Sequence, residues 1–257
     1  PRTARDRRRG SRAAGAGRAA SLRHPARALA CHCGRAVKVD VVRIGHEQEP
    51  VVVIDGFVAD PAALVEHAVA SRFVPMGAFY PGPRQAAPAS YCAEVAPVVA
   101  TAMRQVFGYS EHLRFDRALF SMVTTPPAEL SLAQRIPHVD GVEEGMVAIV
   151  HFLSAEDHGG TSFWRHRSTG FETVNAAHQR QYLDCLRADF DRFGEPPPAY
   201  IDGDTDVFER MALFPPRLNR ALIYRSKLLH CAAVPNRPLP TDPRHGRLTI
   251  ASFLTAR

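Results

Sequence analysis

Short apolar stretches of strand length dominate the second half of the sequence. They are rich in Val, Ile, Leu and Phe, and turns containing Gly, Pro or Asp separate them, as where Gly145–Ser154 (GMVAIVHFLS) is followed by Asp157-His158-Gly159-Gly160. Further strands are expected at 113–124, 161–166, 210–214, 219–225, 228–234 and 247–255. Many short strands with one helical segment among them are typical of a β-sandwich or jelly-roll barrel.

The first part of the chain adds helices to this pattern. Two strands are expected at 38–44 and 50–57. Asp60-Pro61 is a typical helix start, with Asp as N-cap and Pro at the first helical position, and the helix should run to about Ser71. A loop over 73–90, a helix over 94–107 that stops at Gly108, and a helix over 175–193 complete the prediction. The fold class is therefore predicted to be mainly β with flanking helices.

Positive charge is concentrated at the N-terminus. Residues 1–37 hold ten arginines and one acidic residue, whereas the whole chain has a formal net charge of +6, so residues 38–257 are slightly acidic. The first 37 residues lack apolar periodicity and are predicted to be a disordered basic tail before a single domain. Such a tail could be a nucleic-acid arm, a targeting peptide or sequence upstream of the true start. Because the folded part is not basic, nucleic acid is not the expected partner.

The cysteine pattern and the hydropathy indicate where in the cell the protein is expected. Five cysteines are present, and Cys31-His32-Cys33 has no second Cys/His pair at zinc-site spacing nearby. No run of 18 apolar residues occurs, so no membrane-spanning helix is predicted. A reducing cytoplasm is the expected location.

His138-Val139-Asp140 is a candidate metal-binding pair. In a strand, residues two apart point to the same face, so both side chains could bind one ion. A His-x-Asp pair is expected by chance in a chain with this many His and Asp residues, and a third ligand is needed. His230 lies in a later apolar stretch that runs into a Pro-rich turn. Two histidines and one carboxylate would leave open positions on the metal, as suits non-haem Fe(II).

Arg247 and Thr249 form a candidate carboxylate site on the last expected strand. They are again two residues apart, and a guanidinium offers a planar fork of donors that matches a carboxylate. A nearby hydroxyl can add one more hydrogen bond. Arg225 is the alternative anchor, although its neighbour Ser226 would point to the other face of a strand.

In their order and spacing these segments resemble the Fe(II)/2-oxoglutarate-dependent dioxygenase superfamily, in particular its prolyl-4-hydroxylase-like branch. More loosely, residues 50–92 look like the start of an uncharacterised bacterial group in it. The resemblance runs from about Leu113 to Leu254. It rests on His138-x-Asp140, the apolar strand to Leu153 with Gly159-Gly160-Thr161-x-Phe163, His230 with Val234-Pro235, and Gly246-Arg247-x-Thr249.

The resemblance implies a double-stranded β-helix, that is, a cupin-like jelly-roll. It implies that His138, Asp140 and His230 bind Fe(II), and that Arg247 with Thr249 binds the co-substrate 2-oxoglutarate. It further implies oxidative decarboxylation of the keto acid to succinate, coupled to hydroxylation of a substrate. The sequence differs from the branch at two positions, since Ala133-Gln134-Arg135 stands where a Tyr is common and Phe152 where another Tyr is usual.

The substrate and the oligomeric state are not encoded in any motif. The substrate is expected to be a small molecule or a peptidyl side chain, contacted by residues of 73–92 and of a predicted insert, 172–218. Two other classes of function stay open. One is a non-catalytic jelly-roll protein that binds metal or a small molecule, and the other is a nucleic-acid-binding protein that acts through the basic tail.

Overall fold

The structure is a computed structural model, and it describes residues 27–30 and 36–257. The strands are β1 (Arg27–Ala30), β2 (Ala36–Ile44), β3 (Glu49–Asp55), β4 (Val74–Pro75), β5 (Pro83–Ala86), β6 (Arg114–Met122), β7 (Met146–Phe152), β8 (Thr161–His166), β9 (Phe208–Phe214), β10 (Arg220–Arg225), β11 (His230–Ala232) and β12 (Leu248–Thr255). The α-helices are α1 (Pro61–Val69), α2 (Ala89–Ala102) and α3 (Gln179–Phe193).

The strands form two antiparallel sheets. The large sheet has the order β1-β2-β3-β10-β7-β12-β6-β5-β4, and the small sheet has the order β11-β8-β9. A backbone bridge between His138 and His230 adds the segment around His138 to the edge of the small sheet. From β6 onward the chain therefore visits large, small, large, small, small, large, small and large sheet in turn. This alternation is the winding of a double-stranded β-helix, so the jelly-roll prediction is confirmed.

Alternation along the strands assigns the two faces of the large sheet. Val147 and Ile149 of β7 point to one face and pack in a core with the residues of α1 and α2. Ala148 and Phe152 point to the other face and meet Phe163 of the small sheet. On its outer side, the small sheet packs against α3 through a separate core. The layers are thus two helices, large sheet, small sheet and one helix.

Strand β12 lies in the middle of the large sheet, although it is the last strand in the chain. It pairs with β6 along one edge and with β7 along the other. Thr249 lies opposite Ser121 on β6 and opposite Phe152 on β7. Because residues directly opposite one another share a face, Thr249 points toward the small sheet.

Helices occur in all three predicted regions, but their bounds differ from the predicted ones. Asp60 caps α1 by accepting a hydrogen bond from the Ala63 amide at 3.0 Å. Helix α2 begins at Ala89 rather than 94, and a π-helical turn continues it to Gly108, whose φ of +80° ends the helix. The prediction of a loop over 73–90 is wrong in part, because β4 and β5 lie there and extend the edge of the large sheet.

Glu172 fastens the β2–β3 turn to the small sheet. Its buried carboxylate accepts hydrogen bonds from the amides of His46 and Glu47 at 2.8 and 2.9 Å and binds Arg165 of β8. Glu47 returns the contact by accepting from the amide and hydroxyl of Thr173. The buried carboxylate of Glu172 therefore joins the β2–β3 turn to a segment that lies more than a hundred residues later in the chain.

The predicted tail and the predicted insert each contribute a strand to one of the sheets. Residues 1–26 and 31–35 of the predicted tail, with Cys31-His32-Cys33, lie outside the described residues, whereas Arg27–Ala30 form β1 and pair with β2. The predicted insert 172–218 includes β9, which is a strand of the small sheet. Among the helices of the described ranges, none is long and apolar enough to cross a membrane.

Candidate metal centre

Three candidate ligands converge at one end of the small sheet. His138 and His230 form a backbone pair in which each amide donates to the other's carbonyl oxygen at 2.9 Å. Their side chains therefore point the same way. The amide of Asp140 donates to the carbonyl oxygen of Ser226 at 2.9 Å, which fixes the third residue beside them. One nitrogen or oxygen from each side chain lies within 4.8 Å of the others.

The distances fit a divalent metal ion. Nε2 of His230 lies 3.2 Å from Oδ2 of Asp140, and Nε2 of His138 lies 3.8 Å from Oδ1. Ligands at about 2.1 Å from an ion and at right angles to each other stand about 3 Å apart. Two imidazole nitrogens and one carboxylate oxygen on one side of an ion match the donor set of non-haem iron. The predicted ligand set is therefore brought together by the fold.

The backbone selects the tautomer of His230. Nδ1 of this ring lies 2.8 Å from the carbonyl oxygen of Leu228, which can only accept a hydrogen bond. Nδ1 thus carries a proton, and in the neutral ring Nε2 offers its lone pair toward Asp140. The orientation needed for metal binding exists in the free protein.

The three side chains perturb one another's protonation. Burial alone would raise the pKa of Asp140, but the charge and hydrogen bond of His230 outweigh it and lower that pKa. Burial would lower the pKa of His230, and the Asp140 carboxylate raises it instead. The pKa of His138 is lowered by desolvation and by His230, although 48 % of its side chain is exposed and water weakens the effect. His230 and Asp140 therefore each favour the charged form of the other.

Access to the centre is from the side of His138. The exposed fraction of the side chain falls from 48 % for His138 to 17 % for Asp140 and 7 % for His230. A cavity of about 530 Å³ opens beside Asp140, and Glu143 and Gln179 are among the residues that line it. Of the three candidate ligands, Asp140 alone lines this cavity.

Arg247 lies buried on the inner face near the centre. It is 3 % exposed, and its Nε and Nη2 donate to the carbonyl oxygens of Gly159 and Gly160 at 3.0 and 2.8 Å. Nη1 has no hydrogen-bond partner within the described parts of the chain, and no acidic side chain pairs with this arginine. Burial lowers its pKa. Two backbone carbonyls therefore orient a cation whose remaining donors are free.

The two glycines allow this arrangement. At Gly159, where φ is +88°, a Cβ atom would run into the carbonyl oxygen of Ala233, and at Gly160 it would meet that of Phe214. Thr249 is buried beside the arginine, and its hydroxyl donates to the carbonyl oxygen of Ser121 at 3.4 Å. The hydroxyl oxygen can accept a hydrogen bond, but its proton is directed at the backbone.

Three tyrosines that carry no motif in the sequence lie in the neighbourhood of Arg247. They are Tyr80, Tyr200 and Tyr224. The hydroxyl of Tyr80 is buried without a partner, and that of Tyr200 donates to the carbonyl oxygen of Thr125 at 2.8 Å. The ring of Tyr224 packs edge-on against His230 at 4.7 Å. Only Tyr224 could have been placed from sequence, by alternation along β10.

Arg225, the alternative anchor, faces away from the centre. It pairs with Glu49 at 2.8 Å, donates to the carbonyl oxygen of Phe107 and stacks on the Phe107 ring. Phe107 belongs to the core on the helix side of the large sheet. The structure therefore leaves Arg247 as the arginine of this pair that points into the jelly-roll.

Comparison with solved structures returns distant similarity to several proteins. The non-haem alpha-ketoglutarate-dependent epimerase SnoN from nogalamycin biosynthesis aligns with a TM-score of 0.46 and 13 % identity, over 82 % of this chain and 79 % of that chain. HygX from Streptomyces hygroscopicus, solved with nickel and 2-oxoglutarate bound, gives 0.46, 14 %, 82 % and 84 %. AviO1 from Streptomyces viridochromogenes Tue57 gives 0.45, 12 %, 80 % and 90 %. Similarity at this level carries no functional information about this chain.

Comparison by sequence is more specific. No curated protein matches the chain. A model of the family of unknown function DUF6445 matches residues 35–254, which include all five of the candidate site residues. The chain belongs to the DUF6445 family.

Proposed function

We propose that this protein is a non-haem Fe(II)- and 2-oxoglutarate-dependent dioxygenase that hydroxylates a small molecule or a peptidyl side chain. The observation that carries the proposal is the convergence of His138, Asp140 and His230 inside a jelly-roll that also buries Arg247, an arginine that pairs with no acidic side chain of the described residues. A metal site alone has many uses. A metal site beside a cation without a counter-ion favours a co-substrate that is itself an anion.

Each residue has a defined task in this proposal. His138, Asp140 and His230 hold the ion, and the hydrogen bond from His230 Nδ1 to the Leu228 carbonyl keeps Nε2 directed at it. His230 has to lose its proton for this, so metal and proton compete at that ring. When bound, iron with the keto acid and oxygen supplies the oxidising chemistry.

The remaining residues bind the co-substrate and exclude water. Arg247 donates from its free Nη1 to the distal carboxylate, and the Thr249 hydroxyl donates a further hydrogen bond once it turns away from the Ser121 carbonyl oxygen. The buried rings of Phe152, Phe163 and Tyr224 pack in one core on the inner side of the metal site and keep water away from it. In this low-dielectric setting the Arg247–carboxylate interaction is stronger than it would be in water.

An anaerobic titration with Fe(II) and 2-oxoglutarate tests the proposal. Chelation of iron by the keto acid is expected to give a visible charge-transfer band, and admission of oxygen is expected to give succinate. Both signals should disappear in His138→Ala and Asp140→Ala. They should persist in the matched controls His46→Ala and Asp191→Ala, which change exposed residues outside the centre.

The outcomes separate the two classes of jelly-roll protein. Metal binding without the band or succinate would favour the non-catalytic metal- or small-molecule-binding alternative. Absence of metal binding, with both triad variants equal to the wild type, would refute the dioxygenase proposal.

A further inference from the structure

Arg84 lies on the same face of the large sheet as the proposed co-substrate site. On β5 it is directly opposite Ser121 of β6, and Ser121 is directly opposite Thr249 of β12. Residues opposite one another share a face, so Arg84 points toward the small sheet. Two strand spacings, about 10 Å, separate its backbone from that of Thr249.

The guanidinium of Arg84 has no counter-ion in the described residues. It forms neither a hydrogen bond nor an ion pair with any of them, and its buried Nε is without a partner. The side chain stacks on the ring of Tyr80, with the guanidinium carbon 3.8 Å from the ring centroid. By contrast, Arg165, Arg220 and Arg225 each pair with a carboxylate. A half-buried cation without a partner is costly for a protein unless an anion binds to it.

The position of Arg84 relates it to the metal centre. The face of the large sheet that carries Arg84 looks onto the small sheet, and His138 pairs with His230 at the edge of that sheet. A divalent ion at the centre would repel Arg84, and an anion between them would remove that repulsion. A carboxylate fits best, since the planar guanidinium can bind both of its oxygens.

Two carboxylates could occupy this position, and the structure favours one of them. The distal carboxylate of the keto acid is assigned to Arg247, which is buried and held by two backbone carbonyls. Arg84 lies two strands away toward the sheet edge, on the 73–92 segment, and is partly exposed. An arginine at this edge is reached from solvent, whereas the buried Arg247 is not.

We propose that Arg84 binds a carboxylate of the primary substrate and holds that substrate beside the metal centre. The substrate class is then an organic acid or a molecule that carries a free carboxylate. This inference rests on the proposed function for its orientation relative to the metal, but the anion site can be measured independently.

The test uses ¹³C-acetate as the probe. The protein is loaded with Co(II), which is paramagnetic, and with N-oxalylglycine to fill the keto-acid site, and the relaxation of the acetate carboxyl carbon is measured. The wild type is expected to enhance this relaxation. Arg84→Gln should weaken acetate binding by about tenfold or more, the size of one charge-assisted hydrogen bond. Arg84→Lys should retain part of the effect.

Arg117→Gln is the matched control. Arg117 lies on β6 opposite Phe253, stacks on that ring, and is exposed, so this variant removes the same charge from the same face. Acetate binding is expected to remain near the wild-type value. Equal losses in Arg117→Gln and Arg84→Gln would mean that only the general positive field attracts acetate, and the proposal would be overturned.

Further outcomes distinguish the sources of the carboxylate. If the wild type does not bind acetate, or Arg84→Gln binds it equally well, the proposal fails. If Arg84→Gln weakens N-oxalylglycine and leaves acetate unchanged, Arg84 serves the keto acid, and the proposal also fails. If Co(II) does not bind but acetate binding, measured by calorimetry, still depends on Arg84, the carboxylate site stands and the dioxygenase proposal does not.

Discussion

Replacement of Arg247 by lysine tests whether the buried guanidinium binds the co-substrate. In the wild type, Nε and Nη2 are held by the carbonyl oxygens of Gly159 and Gly160, and the two protons of Nη1 remain for a ligand. Lysine keeps the positive charge but has one nitrogen. It cannot contact both carbonyls and a carboxylate with the same geometry.

The size of the effect follows from the hydrogen bonds at stake. If the variant loses one of the two charge-assisted bonds to the carboxylate, the cost is about 2 kcal/mol. This corresponds to about a 30-fold rise in the Kd for 2-oxoglutarate, since 1.4 kcal/mol is a factor of ten. The affinity for Fe(II) should not change, because Arg247 contacts none of the three ligand side chains.

The assay is the anaerobic titration of Fe(II)-loaded protein with 2-oxoglutarate, followed by the charge-transfer absorbance. Arg225→Lys is the matched control, since Arg225 is on the helix side of the same sheet and pairs with Glu49. Equal affinity for 2-oxoglutarate in Arg247→Lys and the wild type would refute the assignment of Arg247. A comparable loss in Arg225→Lys would attribute the effect to the sheet as a whole.

Four further predictions concern the metal ligands, stability and the backbone. Asp140→Asn should weaken Co(II) binding by about 100-fold or more in a calorimetric titration. Desolvation lowers the pKa of the buried His151 ring to about 4. The neutral ring therefore contributes fully to the free energy of unfolding above pH 6.5, and this contribution is lost as the pH falls toward 4. The loss amounts to about 3 kcal/mol, and His151→Phe should flatten the slope of the free energy of unfolding, measured with urea, over that range. Glu172→Gln should lower that free energy at neutral pH by about 3 kcal/mol, since Arg165 loses its buried partner. Gly159→Ala should lower it by about 2 kcal/mol and weaken 2-oxoglutarate binding, because the new Cβ displaces the carbonyl that holds Arg247.

Each of these has an outcome that contradicts it. Unchanged Co(II) affinity in Asp140→Asn would remove the carboxylate from the ligand set, provided that Asp191→Asn is also unchanged. A pH slope in His151→Phe equal to that of the wild type would mean that another group dominates acid unfolding. Wild-type stability of Glu172→Gln or Gly159→Ala in the same urea assay would show that these positions relax more than their contacts indicate.

The sheets were predictable from the sequence because their strands carry regular patterns. Burial of both faces makes Met146–Phe152 apolar at every position except His151, and the chain turns sharply at Gly159-Gly160. The β5 strand was missed because Pro83-Arg84-Gln85-Ala86 is short, polar and at the sheet edge, where pairing on one side is enough to form it. Burial at the ends of strands was also missed. His158 and His166 are next to turns, where exposed residues are usual, yet both are buried.

Part of the candidate site could be proposed from the sequence and part could not. His138 and Asp140 are close in sequence, and His230 and Arg247 lie in or next to recognisable apolar strands, so residue type and order were sufficient to propose these four residues as one site. Tyr80 and Tyr200 come from segments without periodicity, and only the three-dimensional arrangement brings them into the neighbourhood of Arg247. The counter-ion state of an arginine is likewise invisible in sequence, which is why Arg84 emerged from the structure alone.

The position of β12 has a consequence for synthesis of the protein on the ribosome. This strand fills the gap between β6 and β7, and β6 begins more than a hundred residues earlier in the chain. Until Thr255 has left the exit tunnel, two long apolar edges are without partners, and pairings of such high sequence separation form slowly. The nascent chain is therefore exposed to aggregation until β12 pairs with both strands. Arg247 directly precedes β12 and Thr249 lies on it, so the proposed carboxylate site appears at the moment when the large sheet becomes continuous.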